Sequence, residues 1–291
     1  MNSTALILWH SFLQSTPSDQ RKSLLNCISP KLLVDLQAQP LPSKEPFQEL
    51  DLVENQLSQI HYSWFAPFLR SLPENEIKLF LTALTPVQIQ GLKQSLLLSN
   101  TLPVPSSVGK NYLEKMLFET VASEDLVPLS CLPDDPLNIL LNLTFPELLS
   151  LIDLSSMHDL SIEIRHIIET SKLKEIYALL TKAQITFLKT LLHRKEAVSF
   201  KRMELIRWKG DREALRYLLL QRGINRIAKS LHGHHPSLLW HIAHRLDTEK
   251  GQLLIKLCSS LDHPQAANLL AEQVVELVNI LKMNHNPSEN L

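Results

Sequence analysis

Glycine is scarce in this chain of 291 residues, with six against seventeen prolines. So few permissive residues leave no phosphate-cradling glycine loop, and no GxSxG elbow occurs either. Cysteine is equally rare. Cys27, Cys131 and Cys258 lie more than a hundred residues apart, an odd number without paired spacing. That excludes a disulfide framework, and no cysteine has a recognisable histidine partner for nucleophilic catalysis; it reads as a reducing compartment. No stretch alternates at period two for long enough to make a strand. The longest apolar run, LNILLNLTFPELLSLIDL at 137–154, carries Asn138, Asn142, Pro146, Glu147 and Asp153. Each would be costly in lipid, so the run reads as two buried helices meeting at Thr144 and not as a membrane span. The opening MNSTALILWHSFLQ lacks a basic start and does not make a signal peptide. Adjacent acids such as Asp134 and Asp135 flank a proline at a helix start, where carboxylates serve as cap and dipole partners. The expectation is a protein that is not an enzyme and has no cofactor.

What the chain does have is leucine in helical spacing, with 44% hydrophobic and 20% charged residues, a globular and all-α composition. Helix starts are legible. LTPVQIQGLKQSL at 84–96 and LTKAQITFLKTLL at 180–192 share seven of thirteen residues, and LTFPELLSL at 143–151 keeps the pattern. Thr85, Thr144 and Thr181 each precede Gln88, Glu147 and Gln184 by three residues, the spacing of a capping box. The first two phrases also follow segments of matching apolar pattern, with Lys78 opposite Lys174. Two readings remain open at this point, convergence of similarly capped helices and an internal duplication with unequal insertions. Other starts follow the same grammar: Ser71 with Pro73 and Glu74, Pro17, and Pro236 at a first-turn position.

Proline-bearing linkers at about 38–47 and 99–109 suggest an N-terminal helical domain over 1–103, a central helical segment over 104–192 and a basic C-terminal helical domain over 193–291. The charge distribution supports the last boundary. Residues 1–192 carry 14 Lys and Arg against 20 Asp and Glu, a net of −6, whereas residues 193–256 carry 14 against 6, a net of +8.

Two constellations could bind something. SLHGHHPSLLWHIAHRLD at 230–247 holds His232, His234, His235, His241 and His244. Metal binding is one alternative, but zinc on a helix ordinarily uses HExxH, and here no glutamate follows the first histidine and no cysteine is near. If Pro236 starts a helix, Leu238, Leu239, Ile242, Ala243 and Leu246 form one stripe and Trp240, His241 and His244 fall opposite. That places the last three on an outward face as a protein-contact patch, whose rings gain charge as pH falls. The second constellation is HRKEAVSFKRMELIRWKGDREALRYLLLQRGINRIAK at 193–229. Lys201, Arg202, Arg207, Lys209, Arg212 and Arg216 make it a surface for an acidic protein or an anionic membrane. Nucleic acid is the alternative, with Phe200, Trp208 and Tyr217 for stacking and a helix-turn-helix over 195–231. Against that, Met203, Ile206, Leu215, Leu218 and Leu219 sit at core spacing. An acidic half and a basic half also suit homo-oligomeric stacking.

The run of short capped helices, with the LTxxQI phrases and SWFAPFLRSLPENEIKLFLTAL at 63–84, resembles the helical repeats of flagellar rotor switch proteins. It is also similar to cytosolic adaptors of the chlamydial type III secretion apparatus, and WHIAHRLDTEKGQLL at 240–254 adds to the likeness, which covers about residues 60–260. The resemblance implies a cytoplasmic adaptor, peripheral at the inner membrane, between a membrane ring and the ATPase-associated sorting platform. The charged torque helix of the rotor proteins has no match here, which leaves a static scaffold. The expected architecture is an array of about fifteen capped helices with irregular repeats.

Overall fold

The structure, a computed structural model, describes residues 9, 12–13, 16–26, 28–29, 33–34, 53–97, 101–194, 196–259 and 264–285. The linker expected at 38–47 and Cys27 lie outside the described residues. The fold is all-α: thirteen α-helices and four 3-10 helices, with no strand among the described residues. No described helix is long and apolar enough to cross a membrane. The chain divides into two compact units, residues 1–135 with 235–251 and residues 136–234 with 252–291. The division does not follow the linker at 99–109 or the charge boundary at 193. Packing joins residues distant in sequence, and that is not visible in local composition.

In the first unit α1 (Ser18–Asn26) starts after Pro17, whose carbonyl accepts from Arg21 N at 2.9 Å. Leu24, Leu25 and Ile28 near it pack with Trp9 around the buried Leu13. Then come α2 (Val53–Gln59), a 3-10 helix (Tyr62–Trp64), α3 (Ala66–Arg70), α4 (Glu74–Leu81), α5 (Pro86–Leu96) and α6 (Ser107–Glu119). Their apolar stripes meet in one core that includes Leu57, Phe65, Leu69, Phe80, Leu92 and Leu117. Ser71 does not open α4. Its hydroxyl donates to Phe68 O and closes α3 instead, and α4 starts after Pro73 with Glu74 and Glu76 in its first turn. The core is completed by α11 (Pro236–Arg245), which returns from far along the chain.

The second unit is built around α7 (Phe145–Ile164), buried on nearly every side and packed by α9 (Lys182–Leu192), α10 (Arg212–Ser230) and α13 (Pro264–His285). The 3-10 helix Pro136–Asn142 runs into Thr144 and α7, so the two buried helices do meet at that threonine. Gly223 of α10 lies so close to α7 that a Cβ there would sit 1.9 Å from the Ile152 carbonyl oxygen. Only glycine allows the two helices this approach. Between α9 and α10 stands α-helix-free chain with a 3-10 turn at Leu205–Arg207, so residues 196–231 do not form a helix-turn-helix. Helix α12 (Thr248–Leu257) follows α11.

All three capping boxes are present. Thr85 N donates to Gln88 Oε1 at 2.9 Å, Thr144 N to Glu147 Oε2 at 2.7 Å, and Thr181 N to Gln184 Oε1 at 2.7 Å. The helix ahead of α9 is α8 (Thr170–Tyr177). The pair α8 and α9 matches the pair α4 and α5 in both lengths and in the turn between them. Every bound lies 96 residues beyond its counterpart: 74 to 170, 81 to 177, 86 to 182 and 96 to 192. Leu92 and Leu188, one helical turn past each box, are both 0% exposed.

Candidate functional site

The basic residues singled out from the sequence lie on the chain between α9 and α10 and on the first turns of α10. Lys201, Arg202, Arg207, Lys209, Arg212 and Arg216 are all exposed. This segment has almost no regular structure of its own, so its position depends on what holds it from below. Glu163, buried at the end of α7, accepts from Arg202 Nε at 3.2 Å, Met203 N at 3.1 Å and Leu205 N at 3.3 Å. One carboxylate therefore satisfies two backbone amides that the absence of helix leaves open. Lys172 of α8 donates to Ile206 O at 2.7 Å, and Trp208 Nε1 to Asp211 O at 2.8 Å. Asp211 in turn caps α10 by accepting from Ala214 N at 3.1 Å.

A second anchor is a buried ionic network. Arg226, 2% exposed, donates twice to Asp159 Oδ1, at 2.9 and 2.7 Å, and also to Val198 O, Glu196 Oε1 and Gln273 Oε1. Its guanidinium carbon lies 5.5 Å from the centre of the Phe200 ring. Glu196 also accepts from His158 Nδ1 at 2.7 Å and from Gln273 at 2.7 Å. Burial pushes the Glu196 carboxyl up, but the bond and charge of His158, the charge of Arg226 and the Gln273 bond outweigh it and hold the group at about 2. Through Glu196, Val198 and Phe200 the network fixes the first part of the basic segment.

Of the exposed cations, Arg202 pairs with Glu163, Arg207 with Glu204 at 3.0 Å and Arg216 with Glu213 at 2.8 Å. Lys201, Lys209 and Arg212 have no carboxylate partner among the described residues. Arg212 occupies the first position of α10, where the helix dipole disfavours a cation. Ile206 and Tyr217, 56% and 60% exposed, accompany these charges, so Ile206 is not core as its spacing suggested. Leu215 and Leu219 are buried, and Met203, Trp208 and Leu218 pack against the same cluster. Glu204, beside Ile206, holds a left-handed φ of 55°.

Trp240, His241 and His244 do not form an outward patch. His241 and His244 are 6% and 5% exposed, and Trp240 packs against the first unit's core. The His244 ring is stacked between Trp64 at 4.0 Å and Trp240 at 3.9 Å. Because carbonyls only accept, the protonated nitrogens are defined: His241 Nε2 donates to Val127 O and His244 Nδ1 to Trp240 O, both at 2.9 Å. The indoles donate to Leu246 O and Val121 O. Burial lowers both imidazoles to about 4, aided at His241 by Arg245, His244 and His235. The helical wheel identified the leucine stripe correctly, but α11 is covered on the other side too. Its polar rings reach backbone carbonyls instead of water. His235 caps α11, accepting from Ser237 N at 3.2 Å. Among the described residues, no three His, Cys, Asp or Glu side chains come together in a metal-holding group.

The sequence reading missed Asp159, Glu163, Glu196 and Arg226, which position the basic segment. The available signal was the run SSMHDLSIEI at 155–164, where polar residues recur through a helix otherwise apolar all round. Comparison with family models, curated proteins and solved structures finds no match for this chain.

Proposed function

We propose that the protein is a non-enzymatic adaptor that holds other proteins through the basic surface at residues 201–216. The observation that carries this is the contrast between the segment's two sides. Below, Glu163 and the Arg226 network fix its backbone; above, Lys201, Lys209 and Arg212 are exposed, without carboxylate partners among the described residues, beside exposed Ile206 and Tyr217. A fixed irregular segment that leaves its cations to solvent holds them in place for a partner. An acidic protein with apolar side chains at its contact suits this mixture better than a lipid surface does. The two helix pairs with matching bounds support a scaffold made by duplicating one hairpin. Following the resemblance at 63–84 and 240–254, the proposed partners are components of a type III secretion apparatus, at the inner-membrane ring and the sorting platform, and the proposed location is the cytoplasm.

The test is affinity capture with the wild type and with the triple variant Lys201→Glu, Lys209→Glu, Arg212→Glu. Recovery of ring or platform components by the wild type alone, with both proteins melting alike, supports the reading; equal recovery by both, or none by either, removes it. A salt-sensitive mobility shift on DNA or RNA, lost in the triple variant, would transfer the surface to nucleic acid.

A further inference from the structure

We infer that a groove on the second unit receives a short helix end from another protein. The groove, about 740 Å³, is lined by Leu154 of α7, by Gln184, Phe187 and Thr190 of α9 and by Ile280 and Leu281 of α13, together with the charged Asp153, Lys182, Arg194 and Glu276, the last two paired at 3.3 Å. The chain contains its own template for the occupant. In the first unit, Gln88 holds the cap position equivalent to Gln184, and its side-chain amide donates to Leu57 O at 2.8 Å and Ile60 O at 2.7 Å. Those carbonyls lie in the last turn of α2 and one residue past it, where helical backbone runs short of partners, although Leu57 O also accepts from Ile60 N at 3.1 Å. The chain then places the Tyr62 ring on Gly91, so closely that a Cβ there would lie 2.5 Å from it. Gln88 is consequently 4% exposed.

In the second unit the counterpart of Gly91 is Phe187, and α7 runs unbroken from Phe145 to Ile164 through residues 149–155, the counterparts of α2, without a turn there. Gln184 caps α9 through its oxygen and through Thr181 Oγ1, while its amide nitrogen has no partner among the described residues. Gln184 thus brings two donor hydrogens to a lining it shares with Phe187, Ile280 and Leu281, the complement of two helix-terminal carbonyls followed by an aromatic or large apolar side chain. Phe187 is itself braced edge-on by His158, ring centres 5.6 Å apart. The inference shares with the adaptor reading only that the ligand is a protein; it uses none of the residues at 201–216.

The experiment uses a fluorescent peptide of this chain's residues 53–65 as the probe, titrated with the full chain and followed by anisotropy. Gln184→Glu keeps an oxygen to cap Thr181 and replaces the donor with an acceptor; Thr190→Trp fills the groove from an exposed position. The expected result is saturable binding that the triple cation variant leaves unchanged, that Gln184→Glu weakens at least tenfold and that Thr190→Trp abolishes, while both groove variants keep the wild-type melting temperature. No saturable binding to the wild type, or binding unaffected by the two groove variants, overturns the inference. Loss in the triple cation variant also overturns it, by assigning the peptide to the basic surface. So does self-association of the full chain that Thr190→Trp abolishes, which would put a second copy in the groove.

Discussion

Acid should unfold the first unit through His241 and His244. Both rings titrate at about 4 when folded against 6.5 when free, so the folded state holds them neutral. Between pH 6.5 and 4 the unfolded chain binds more protons than the folded one, and stability falls as pH falls. Above pH 6.5 their contribution is fully present, and below about 4 no further loss comes from them. A displacement of this size corresponds to about 3 kcal/mol per ring at the acid limit, and about 2 kcal/mol per ring at pH 5. The pair therefore removes about 4 kcal/mol by pH 5, a large share of the ~5–15 kcal/mol that stabilises an ordinary domain. The assay is urea unfolding at a series of pH values, followed by tryptophan fluorescence, because Trp64 and Trp240 stack directly on His244. His244→Phe keeps a ring between the indoles and removes one titrating group, so about half of the pH dependence should disappear. Stability that is flat between pH 7 and 4.5, or a slope unchanged by His244→Phe, would refute the assignment.

Other perturbations give separate checks. Gly223→Ala adds helix propensity, yet its methyl meets the Ile152 carbonyl; thermal unfolding should show a net loss of about 2 kcal/mol, where an unobstructed site would show a gain. Leu97 ends α5 at a φ of 56° and is 93% exposed, so Leu97→Gly should stabilise by about 1 kcal/mol in urea midpoints. Asp159→Ala leaves Arg226 buried without the carboxylate that accepts two of its five hydrogen bonds; unfolding should lose about 3–5 kcal/mol, and amide exchange at 198–205 should accelerate.

The legible parts of the fold were local ones. A capping box needs only two side chains three residues apart, so Thr85, Thr144 and Thr181 announced α5, α7 and α9 directly. Pro236 announced α11 for the same reason. What covers a helix is not local: the wheel of α11 separated Leu238 and Ile242 from Trp240 and His244, but the cover over the second group comes from Trp64, Val121 and Val127, more than a hundred residues away. The basic segment was visible as charge, and its exposure follows. Its supports were not visible, because Glu163 and Arg226 look like ordinary surface residues until the fold buries them. Gln88 and Gln184 illustrate the limit best, since identical boxes in sequence end with one amide buried on α2 and the other facing a groove.

The adaptor reading turns on what Lys209 touches in the cell. A photo-crosslinking residue placed at position 209 of the full chain, expressed in its native host and analysed by mass spectrometry, reports that contact directly. The expected result is a discrete adduct with an acidic ring or platform component, reduced when Lys201 and Arg212 are reversed to glutamate. Adducts with nucleic acid only, or none at all, would contradict it.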